Sequence, residues 1–272
     1  MPRQAISRPI RIASWNINSV RLRLANVARF AAEFQPDVLC LQETKAGDDV
    51  FPDAALAEIG FTHRAFKGDK GYNGVAILSK IPFTEKRYES FGGIDHSRHL
   101  AVTLEGGVEL HDFYVPAGGD IPDAAANPKF AHKLQFVADM TAWCKRRRDP
   151  AARRILVGDL NIAPLEHDVW SHKQLLKVVS HTPVEVAAME KLIATGEWVD
   201  SARRFTPATE KLYSWWSYRS PNWDIADKGR RLDHIWVSPA LAGGLKAVET
   251  PRGPRGWEVA SDHVPVIATI AL

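Results

Sequence analysis

Carboxylate and amide side chains follow short apolar runs at several places in the chain, where they could bind a cation or a phosphate group. The clearest run covers residues 155–157, and Asp159 and Asn161 follow it. Two other runs end in the same way, in Asn16 and Asn18 and in Gln42 and Glu43. Carboxylate and amide oxygens suit the hard cations Mg²⁺ and Mn²⁺. The residue types therefore favour metal-assisted phosphate chemistry.

Three further segments carry polar groups beside an apolar run. Tyr114 precedes a proline, Asp233 opens the run that ends at residue 237, and Asp262 and His263 precede the apolar C-terminal run. Each residue alone is better explained by a turn or a strand cap, because Asp and Asn are common turn formers. Six such segments in one chain favour a shared site.

Buried strands are expected to position these side chains. Residues 155–157 are continuously apolar and partly β-branched, which is typical of a strand that is covered on both faces. Gly158 is expected to let the backbone turn where the apolar character stops. Asp159 and Asn161 would then point to one side, because residues two apart in an extended chain share a face.

Helical periodicity separates these strands. The expected helices cover residues 20–34, 51–59, 128–144 and 183–196. Thr182 and Glu185 form a capping box at the start of the last of them. The basic residues 145–148 are interpreted first as a solvated helix end, because cations complement the helix dipole, and only second as a nucleic-acid contact.

The remaining apolar segments predict further strands. These cover residues 61–66, 75–79, 98–104 and 266–272. Gly106 and Gly107 predict a tight turn, and hence an antiparallel hairpin whose second strand ends at Tyr114. Strands that alternate with helices indicate an α/β protein.

Length and composition indicate an ordered globular protein. We expect a single domain over residues 1–272, since 45% of the residues are hydrophobic and 25% are charged. No apolar run approaches the roughly 20 residues of a membrane span. Residues 1–9 are basic and lack the apolar core of a secretory signal, so a cytoplasmic location is the default expectation.

The two cysteines and the net charge carry less information. Cys40 lies in an apolar strand and Cys144 in a helical pattern, so both are expected to be buried and reduced. They supply neither a disulfide framework nor a cysteine metal cluster. The formal net charge of +3 favours an anionic partner without establishing one.

With these residues assembled, the chain resembles the exonuclease III family of DNA repair nucleases, within the endonuclease, exonuclease and phosphatase superfamily. The resemblance covers nearly the whole chain. The matching motifs cover residues 14–18, 41–45, 73–79, 114–116, 158–162, 231–233 and 261–265. The resemblance implies a four-layer α/β sandwich of the deoxyribonuclease I type, with two mixed β-sheets packed face to face and helices outside.

The resemblance also implies catalytic roles for five residues. Asp159 positions or deprotonates the attacking water, and Asn161 donates to the phosphoryl oxygens. His263 contacts the phosphate or helps to activate the water, while Asp233 holds its other ring nitrogen and fixes the tautomer. Tyr114 is expected to bond to the phosphate.

A Mg²⁺ ion, which Mn²⁺ can replace, is the implied cofactor, with Glu43 as its first ligand. The full set of expected ligands is Asn16, Glu43, Asp159, Asn161, Asp262 and His263. The expected substrate-binding residues are Asn18, Lys45, Trp215, Arg230, Arg231 and Leu232. Trp215 is expected to line the pocket for the sugar, while its neighbour Trp216 is expected to be buried.

The implied function is that of a Mg²⁺-dependent, monomeric DNA repair nuclease without membrane contact. It would act as a 3′ to 5′ exonuclease on duplex DNA and also cut at abasic sites. Two alternatives stay open, namely the same apparatus acting on an inositol phosphate or a phospholipid, and a DNA-binding protein without catalysis. The tryptophans and arginines of residues 215–231 favour DNA over a lipid.

Two positions depart from the family's pattern. Ala117 replaces an amide side chain that often follows the active-site tyrosine, so one expected phosphate contact is absent. Arg230 replaces an apolar or aromatic side chain that lines the lesion pocket in some relatives. The departure at Arg230 leaves the balance between exonuclease and abasic-site activities open.

Overall fold

The computed structural model describes residues 8–272. The interpretation of residues 1–9 as a basic segment without a secretory core falls largely outside that range, on residues 1–7. No helix between residues 8 and 272 is both long and apolar enough to span a membrane.

The described residues form two six-stranded sheets. In order across the first sheet, the strands are β11 (Leu245–Glu249), β12 (Val266–Ile270), β1 (Ile10–Asn16), β2 (Val38–Gln42), β4 (Tyr72–Ser79) and β3 (His63–Asp69). Strands β1 and β2 are parallel, and the other neighbours in this sheet are antiparallel. The sheet is therefore mixed, as expected.

The second sheet repeats this arrangement. Its strands, in order, are β5 (Phe83–Arg87), β6 (His99–Leu104), β7 (Val108–Tyr114), β8 (Arg154–Asp159), β10 (Asp233–Val237) and β9 (Val199–Asp200). Only β7 and β8 among these described pairs are parallel. The predicted hairpin between β6 and β7 is confirmed, and both of its glycines, Gly106 and Gly107, have positive φ.

Helices cover the outer faces of both sheets, with α1 (Leu24–Phe34) and α2 (Asp53–Glu58) on the first sheet and α3 (Pro128–Arg146) and α5 (Pro183–Gly196) on the second. The shorter helices are α4 (His172–Leu175), α6 (Trp223–Ala226) and α7 (Pro239–Ala242). The capping box of α5 is present as predicted, since the side chain of Thr182 and that of Glu185 each accept a backbone N–H of the other residue.

Three apolar clusters hold the layers together. Ile12 and Val157 belong to the cluster between the two sheets. Trp15 and Phe30 belong to a cluster between the first sheet and α1, and Phe136 to one between the second sheet and α3 with α5. The central strands are thus buried on both faces, which explains their continuous apolar runs. The predicted four-layer sandwich is confirmed.

The two parallel strand pairs bring polar residues to one end of the sandwich. Strand β1 ends at Asn16 beside the end of β2, and β7 ends at Tyr114 beside Asp159 of β8. Strand β10 runs the other way and begins at Asp233, opposite Asp159. The ends of β1, β2, β7 and β8 and the start of β10 therefore lie together at one edge of the molecule.

The backbone around Asp159 differs from the prediction. Gly158 lies within β8, and a Cβ atom there would stand 1.8 Å from the carbonyl oxygen of Phe113, so the glycine allows close packing of β7 against β8. The turn occurs instead at Asn161, whose φ of 53° is left-handed. Asp159 and Asn161 therefore meet through a turn, and the extended-chain argument for them was wrong.

Some short elements were not predicted. Strand β5 has mostly exposed side chains and lies at a sheet edge, so it has little apolar alternation to detect. Strand β9 has only two residues, and β11 has partly exposed side chains. Cys40 and Cys144 are buried and free, as expected.

Candidate active site

A groove opens at the edge where the polar strand ends meet. Its floor includes Glu43, Asp159, Asn161, Asp262 and His263. Its walls include two tryptophans and several cations, namely Trp170, Trp215, Arg219, Lys228 and Arg230, together with Leu232. The groove thus combines buried carboxylates at its base with aromatic and basic groups at its rim.

Asp159, Asp233 and His263 form the most deeply buried group in this floor. The Nδ1 atom of His263 lies 2.8 Å from Oδ2 of Asp233, and its Nε2 atom lies 3.7 Å from Oδ2 of Asp159. The hydroxyl of Ser214 donates to the same Asp233 oxygen at 2.6 Å. Asp233 therefore orients the imidazole as the sequence predicted, and it directs Nε2 towards Asp159.

Burial and the neighbouring charges shift the proton affinities of this group. Burial raises the pKa of Asp159 to about 7. Burial alone would lower the pKa of His263, but the carboxylates of Asp233 and Asp159 outweigh it and raise that pKa to about 10. At neutral pH, the imidazole of His263 is consequently positively charged. The pKa of Asp159 lies close to neutral pH, so its carboxylate can accept a proton there.

Glu43 is the second carboxylate of the floor and is held by three donors. The Tyr114 hydroxyl and Asn16 Nδ2 donate to its Oε1 atom at 2.6 and 3.0 Å, and Lys45 Nζ lies 2.8 Å from Oε2. Burial alone would raise the pKa of Glu43, but these hydrogen bonds and the Lys45 charge lower it. Glu43 is therefore an anion at neutral pH.

Asn16 connects the two halves of the floor. Its Nδ2 atom donates to Oε1 of Glu43 at 3.0 Å and to Oδ2 of Asp159 at 2.9 Å. Its Oδ1 atom accepts the backbone N–H of Asn18 at 3.0 Å. This amide therefore fixes the spacing of the two carboxylates, whereas its oxygen, the expected cation ligand, is already bonded within the protein.

The floor suits a divalent cation by its chemistry. Carboxylate oxygens of Asp159 and Asp233 lie within 4.8 Å of one another, and a ring nitrogen of His263 lies within the same distance and can bind a metal ion only when it is unprotonated. The Oδ1 atom of Asp233 is buried and has no hydrogen-bond partner. Glu43 already holds one cation, the Lys45 ammonium, at 2.8 Å. An oxygen-rich set with an unsatisfied carboxylate oxygen fits a hard metal ion.

Asp262 lies farther towards the groove wall than the sequence suggested. Its Oδ1 atom accepts from Asn18 Nδ2 at 3.1 Å, and its Oδ2 atom accepts from Trp215 Nε1 at 2.8 Å. Both oxygens thus hold neighbouring side chains. Each oxygen keeps a further lone pair, so these contacts are compatible with the predicted role of Asp262 as a metal ligand.

Asn161 is tied to Asp159 and to the segment after β7. Its backbone N–H donates to Asp159 Oδ1 at 3.0 Å, and its Nδ2 atom donates to Asp159 Oδ2 at 3.1 Å and to the Val115 carbonyl at 2.9 Å. Both amide hydrogens are therefore in use. Donation to a phosphoryl oxygen, the predicted role, would require one of them to be released.

Tyr114, Lys45 and Asn18 form a hydrogen-bonded group around Glu43. Besides its contact with Glu43, Lys45 Nζ donates to Asn18 Oδ1 at 2.5 Å. Tyr114 is buried and directs its hydroxyl to Glu43. These three residues therefore form one hydrogen-bonded group that includes the predicted first metal ligand.

The two adjacent tryptophans divide as predicted. Trp216 is 1% exposed and packs with Tyr213 and Val264, whereas Trp215 is partly exposed and lines the groove. The Arg230 guanidinium lies 5.1 Å from the centre of the Trp215 ring, and its Nη1 atom donates to the Val179 carbonyl and the Ser180 hydroxyl. Trp215 and Arg230 together form one groove wall, which Leu232 extends.

Arg231 does not contact the groove, so its assignment as a substrate-binding residue was wrong. Its side chain is 2% exposed and forms ion pairs with Asp168 and Asp200. Those contacts anchor the start of β10. The alternation along an extended chain explains the error, because Arg230 and Arg231 point in opposite directions and only the first can face the substrate.

Ser214 was missed by the sequence interpretation. Its hydroxyl donates to Asp233 and accepts the backbone N–H groups of Leu232 and Asp233, each at 3.0 Å. Serine is common in loops, so its residue type alone gave no signal. The sequence signal for Ser214 was its position directly before Trp215, a predicted substrate-binding residue.

Comparison with known proteins agrees with this arrangement. The sequence matches the endonuclease/exonuclease/phosphatase family over residues 13–263. Exodeoxyribonuclease III of Haemophilus influenzae is 31% identical over 270 residues, which cover 95% of this chain and 99% of that protein.

Solved structures with the same fold include two at similar levels of identity. An AP endonuclease from Archaeoglobus fulgidus has a TM-score of 0.89 at 31% identity. The match covers 97% of this chain and 100% of the endonuclease chain. A 3′ phosphatase from Neisseria, bound to a product DNA hairpin, has a TM-score of 0.88 at 33% identity with the same coverage. Both are similar to this chain over its whole described length.

Proposed function

The chain belongs to the endonuclease/exonuclease/phosphatase family and is a hydrolytic nuclease, and we propose that it is a Mg²⁺-dependent DNA repair enzyme. Its proposed substrates are 3′ ends and abasic sites of duplex DNA. The proteins to which it is similar are named as an exodeoxyribonuclease, an AP endonuclease and a 3′ phosphatase.

One observation carries this proposal, namely the buried contact of Asp159 with His263 at the base of a groove that has basic and aromatic walls. The carboxylate of Asp159 lies at the base of the groove, in the position of a general base for an attacking water. The charged His263 lies 3.7 Å away and is placed to bind a phosphoryl oxygen. A phosphodiester is an anion, so a cation is needed beside it to neutralise its charge. A proton acceptor is also needed, because the attacking water must lose a proton.

Glu43, Asp159 and Asp233 would hold the metal ion. Bound there, Mg²⁺ would neutralise phosphate charge and lower the pKa of a water. The protein's own groups do the rest. Asp233 keeps His263 charged and oriented, and Asn16 keeps the two carboxylates Glu43 and Asp159 at a fixed spacing.

The groove walls support DNA as the substrate. Trp170 and Trp215 offer aromatic faces, and Lys228 lies 4.8 Å from the centre of the Trp170 ring. Alternating aromatic and cationic groups suit the stacking of bases and the binding of the phosphate backbone. Arg230 places a cation beside Trp215 on this wall.

A cleavage assay tests the proposed function. The purified protein with Mg²⁺ is incubated with a recessed 3′ end, with an abasic-site duplex and with an inositol phosphate. We expect cleavage of the two DNA substrates that a chelator abolishes, and no release of phosphate from the inositol phosphate. Hydrolysis of the inositol phosphate alone would show that the apparatus serves another phosphoester, and binding of DNA without cleavage would refute the catalytic role.

Three further features stay predictions. We propose that the chain acts as one domain over residues 1–272, as a monomer, and in the cytoplasm. A sedimentation measurement at several protein concentrations tests the monomer, since a mass that rises with concentration would contradict it.

A further inference from the structure

A fully buried ion pair lies behind the groove wall and has no part in the chemistry described above. Lys133 of α3 and Glu185 of α5 are both 0% exposed, and Lys133 Nζ lies 2.5 Å from Glu185 Oε1. Removing two charges from water is costly, and apolar residues in their place often stabilise a protein as well or better. The hydrogen bonds that this pair makes to the groove offer a reason for its presence.

The ammonium of Lys133 holds one side of the active-site floor. It donates to the Asn161 carbonyl at 2.7 Å and to the Ala117 carbonyl at 3.3 Å, in addition to Glu185. These acceptors match the three donors of an ammonium group. Asn161 has a left-handed φ of 53° and contacts both oxygens of Asp159, so Lys133 fixes the peptide that orients the proposed base.

The lysine stem also supports the segment after Tyr114. Gly118 has a φ of 91°, and a Cβ atom there would lie 2.9 Å from Lys133 Cδ and 3.1 Å from Val179 Cγ1. The backbone at Gly118 therefore lies against both the lysine and the opposite loop. This turn carries Ala117, which lines the groove.

The carboxylate of Glu185 holds the other side. Its oxygens accept the backbone N–H of Ser180 at 2.9 Å and the N–H and hydroxyl of Thr182 at 3.1 and 2.7 Å. Ser180 has a φ of 90°, which is strained for a serine, and its hydroxyl accepts from Arg230 at 2.9 Å. Glu185 therefore fixes the loop against which Arg230 rests.

We propose that Lys133 and Glu185 are positioning residues, which set the active-site geometry by tying the Asn161 turn to the Ser180 loop. The inference rests on the proposed function, because it concerns the alignment of Asp159 in the same site. A capping box alone explains the contacts of Glu185 with Thr182, but it explains neither the lysine nor the two carbonyls that the lysine binds. The Lys133–Glu185 ion pair joins the Asn161 turn in the groove floor to the Ser180 loop behind the groove wall through a single contact.

The test removes the ammonium while it preserves the helix cap. In the double variant Lys133→Met with Glu185→Gln no charge is left buried, and the glutamine still accepts from Ser180 and Thr182. We expect kcat on a recessed 3′ end to fall about 10²-fold, the cost of a misplacement of roughly 1 Å, while KM changes much less. We expect DNA affinity in chelator and the melting temperature to stay close to those of the wild type.

Two further variants keep the test decisive. Lys133→Gln with Glu185→Gln retains a donor with two hydrogens in place of three, so its kcat should lie between those of the wild type and the first variant. Arg147→Met is the control, because Arg147 follows the last residue of the same helix and pairs with Glu109 far from the groove. It should lower the melting temperature and leave kcat unchanged.

The outcomes separate this inference from the proposed function. If the variant Lys133→Met with Glu185→Gln is folded and has the kcat of the wild type, or if Lys133→Gln with Glu185→Gln loses as much kcat as it does, the positioning role is refuted. A kcat that falls only in proportion to the folded fraction would show a purely structural role. If the wild type itself does not cut DNA, the proposed function fails first.

Discussion

Two carboxylates at opposite ends of the second sheet, the partly buried Glu109 and the buried Asp159, show how the same chemical group serves different purposes. Glu109 lies near the start of β7, and Asp159 lies at the end of the neighbouring strand β8. Glu109 forms ion pairs with Arg87, Arg147 and Arg154. Among the described residues, the only ion-pair partner of Asp159 within 4.0 Å is His263.

The surroundings move the two pKa values in opposite directions. The hydrogen bond from His111, together with those from the arginines, lowers the pKa of Glu109 against its burial. Burial raises the pKa of Asp159 to about 7, and His263 offsets only part of that effect. Arginines neutralise the carboxylate of Glu109 at one end of the sheet. At the other end, the carboxylate of Asp159 stays available for a proton or a metal ion. We infer that Glu109 contributes to stability and Asp159 to catalysis.

The largest effect is expected for Asp159→Asn. The substitution keeps the size of the side chain but removes its charge and its basicity, so cleavage of a recessed 3′ end should fall by roughly 10² to 10⁴-fold. Binding of DNA should survive, because the groove walls are unchanged. Steady-state cleavage and a binding titration check both statements, and near-normal turnover at saturating Mg²⁺ would refute the assignment of the base.

The two tryptophans extend the comparison to the groove wall. Trp216→Ala should destabilise the fold by roughly 3 to 5 kcal/mol, because the change leaves a cavity in a buried cluster. Trp215→Ala should leave melting nearly unchanged and weaken substrate binding by roughly 1 to 3 kcal/mol, the range for aromatic stacking on nucleic acid. Thermal melting and cleavage kinetics of both variants are the measurements. An unfolded Trp215→Ala, or one that cuts both DNA substrates normally, would contradict this division.

Glu43→Ala should act through the cation rather than through the fold. Removal of an outer-shell partner alone costs roughly 10- to 100-fold in metal affinity, so loss of a direct ligand should raise the half-maximal Mg²⁺ concentration by at least roughly tenfold. A Mg²⁺ titration of the cleavage rate measures this shift. An unchanged titration would place the metal site away from Glu43.

Glu109→Gln should have the smallest effect and should depend on pH. The pKa of Glu109 is lowered in the folded state, so its stabilisation is present above the unfolded value of about 4.3 and is lost as pH falls through the folded value. We expect a loss of about 1.5 kcal/mol at pH 7, typical of hydrogen bonds to a charged group, that shrinks in strong acid. Urea unfolding at pH 7 and at pH 3 checks this, and an equal loss at both values would contradict it.

The sequence predicted the floor of the site better than its walls. Asp159, Glu43 and Asp233 follow or begin strands that are buried on both faces, and such strands are visible as continuous apolar runs. Antiparallel pairing of β8 with β10 then places Asp233 opposite Asp159, and the packing of the two sheets brings Glu43 beside them. The local order of the residues was therefore sufficient to place these carboxylates at one edge.

Contacts between distant segments could not be predicted in this way. Arg231 is buried because Asp168 and Asp200 pair with it, and neither lies near it in the sequence. The left-handed turn at Asn161 depends in part on Lys133, which lies 28 residues away. Such partners are set by the packing of helices on sheets, for which a single sequence has no local signal.

The most direct test of the contrast between the two ends measures cleavage rate and unfolding on the same samples of the wild type, Asp159→Asn and Glu109→Gln at pH 7 with Mg²⁺. We predict that Asp159→Asn loses cleavage by roughly 10² to 10⁴-fold and unfolds like the wild type, whereas Glu109→Gln cuts DNA normally and unfolds more easily. The reverse pattern, or a parallel loss of cleavage and stability in both variants, would show that the two ends of the sheet do not divide catalysis from stability.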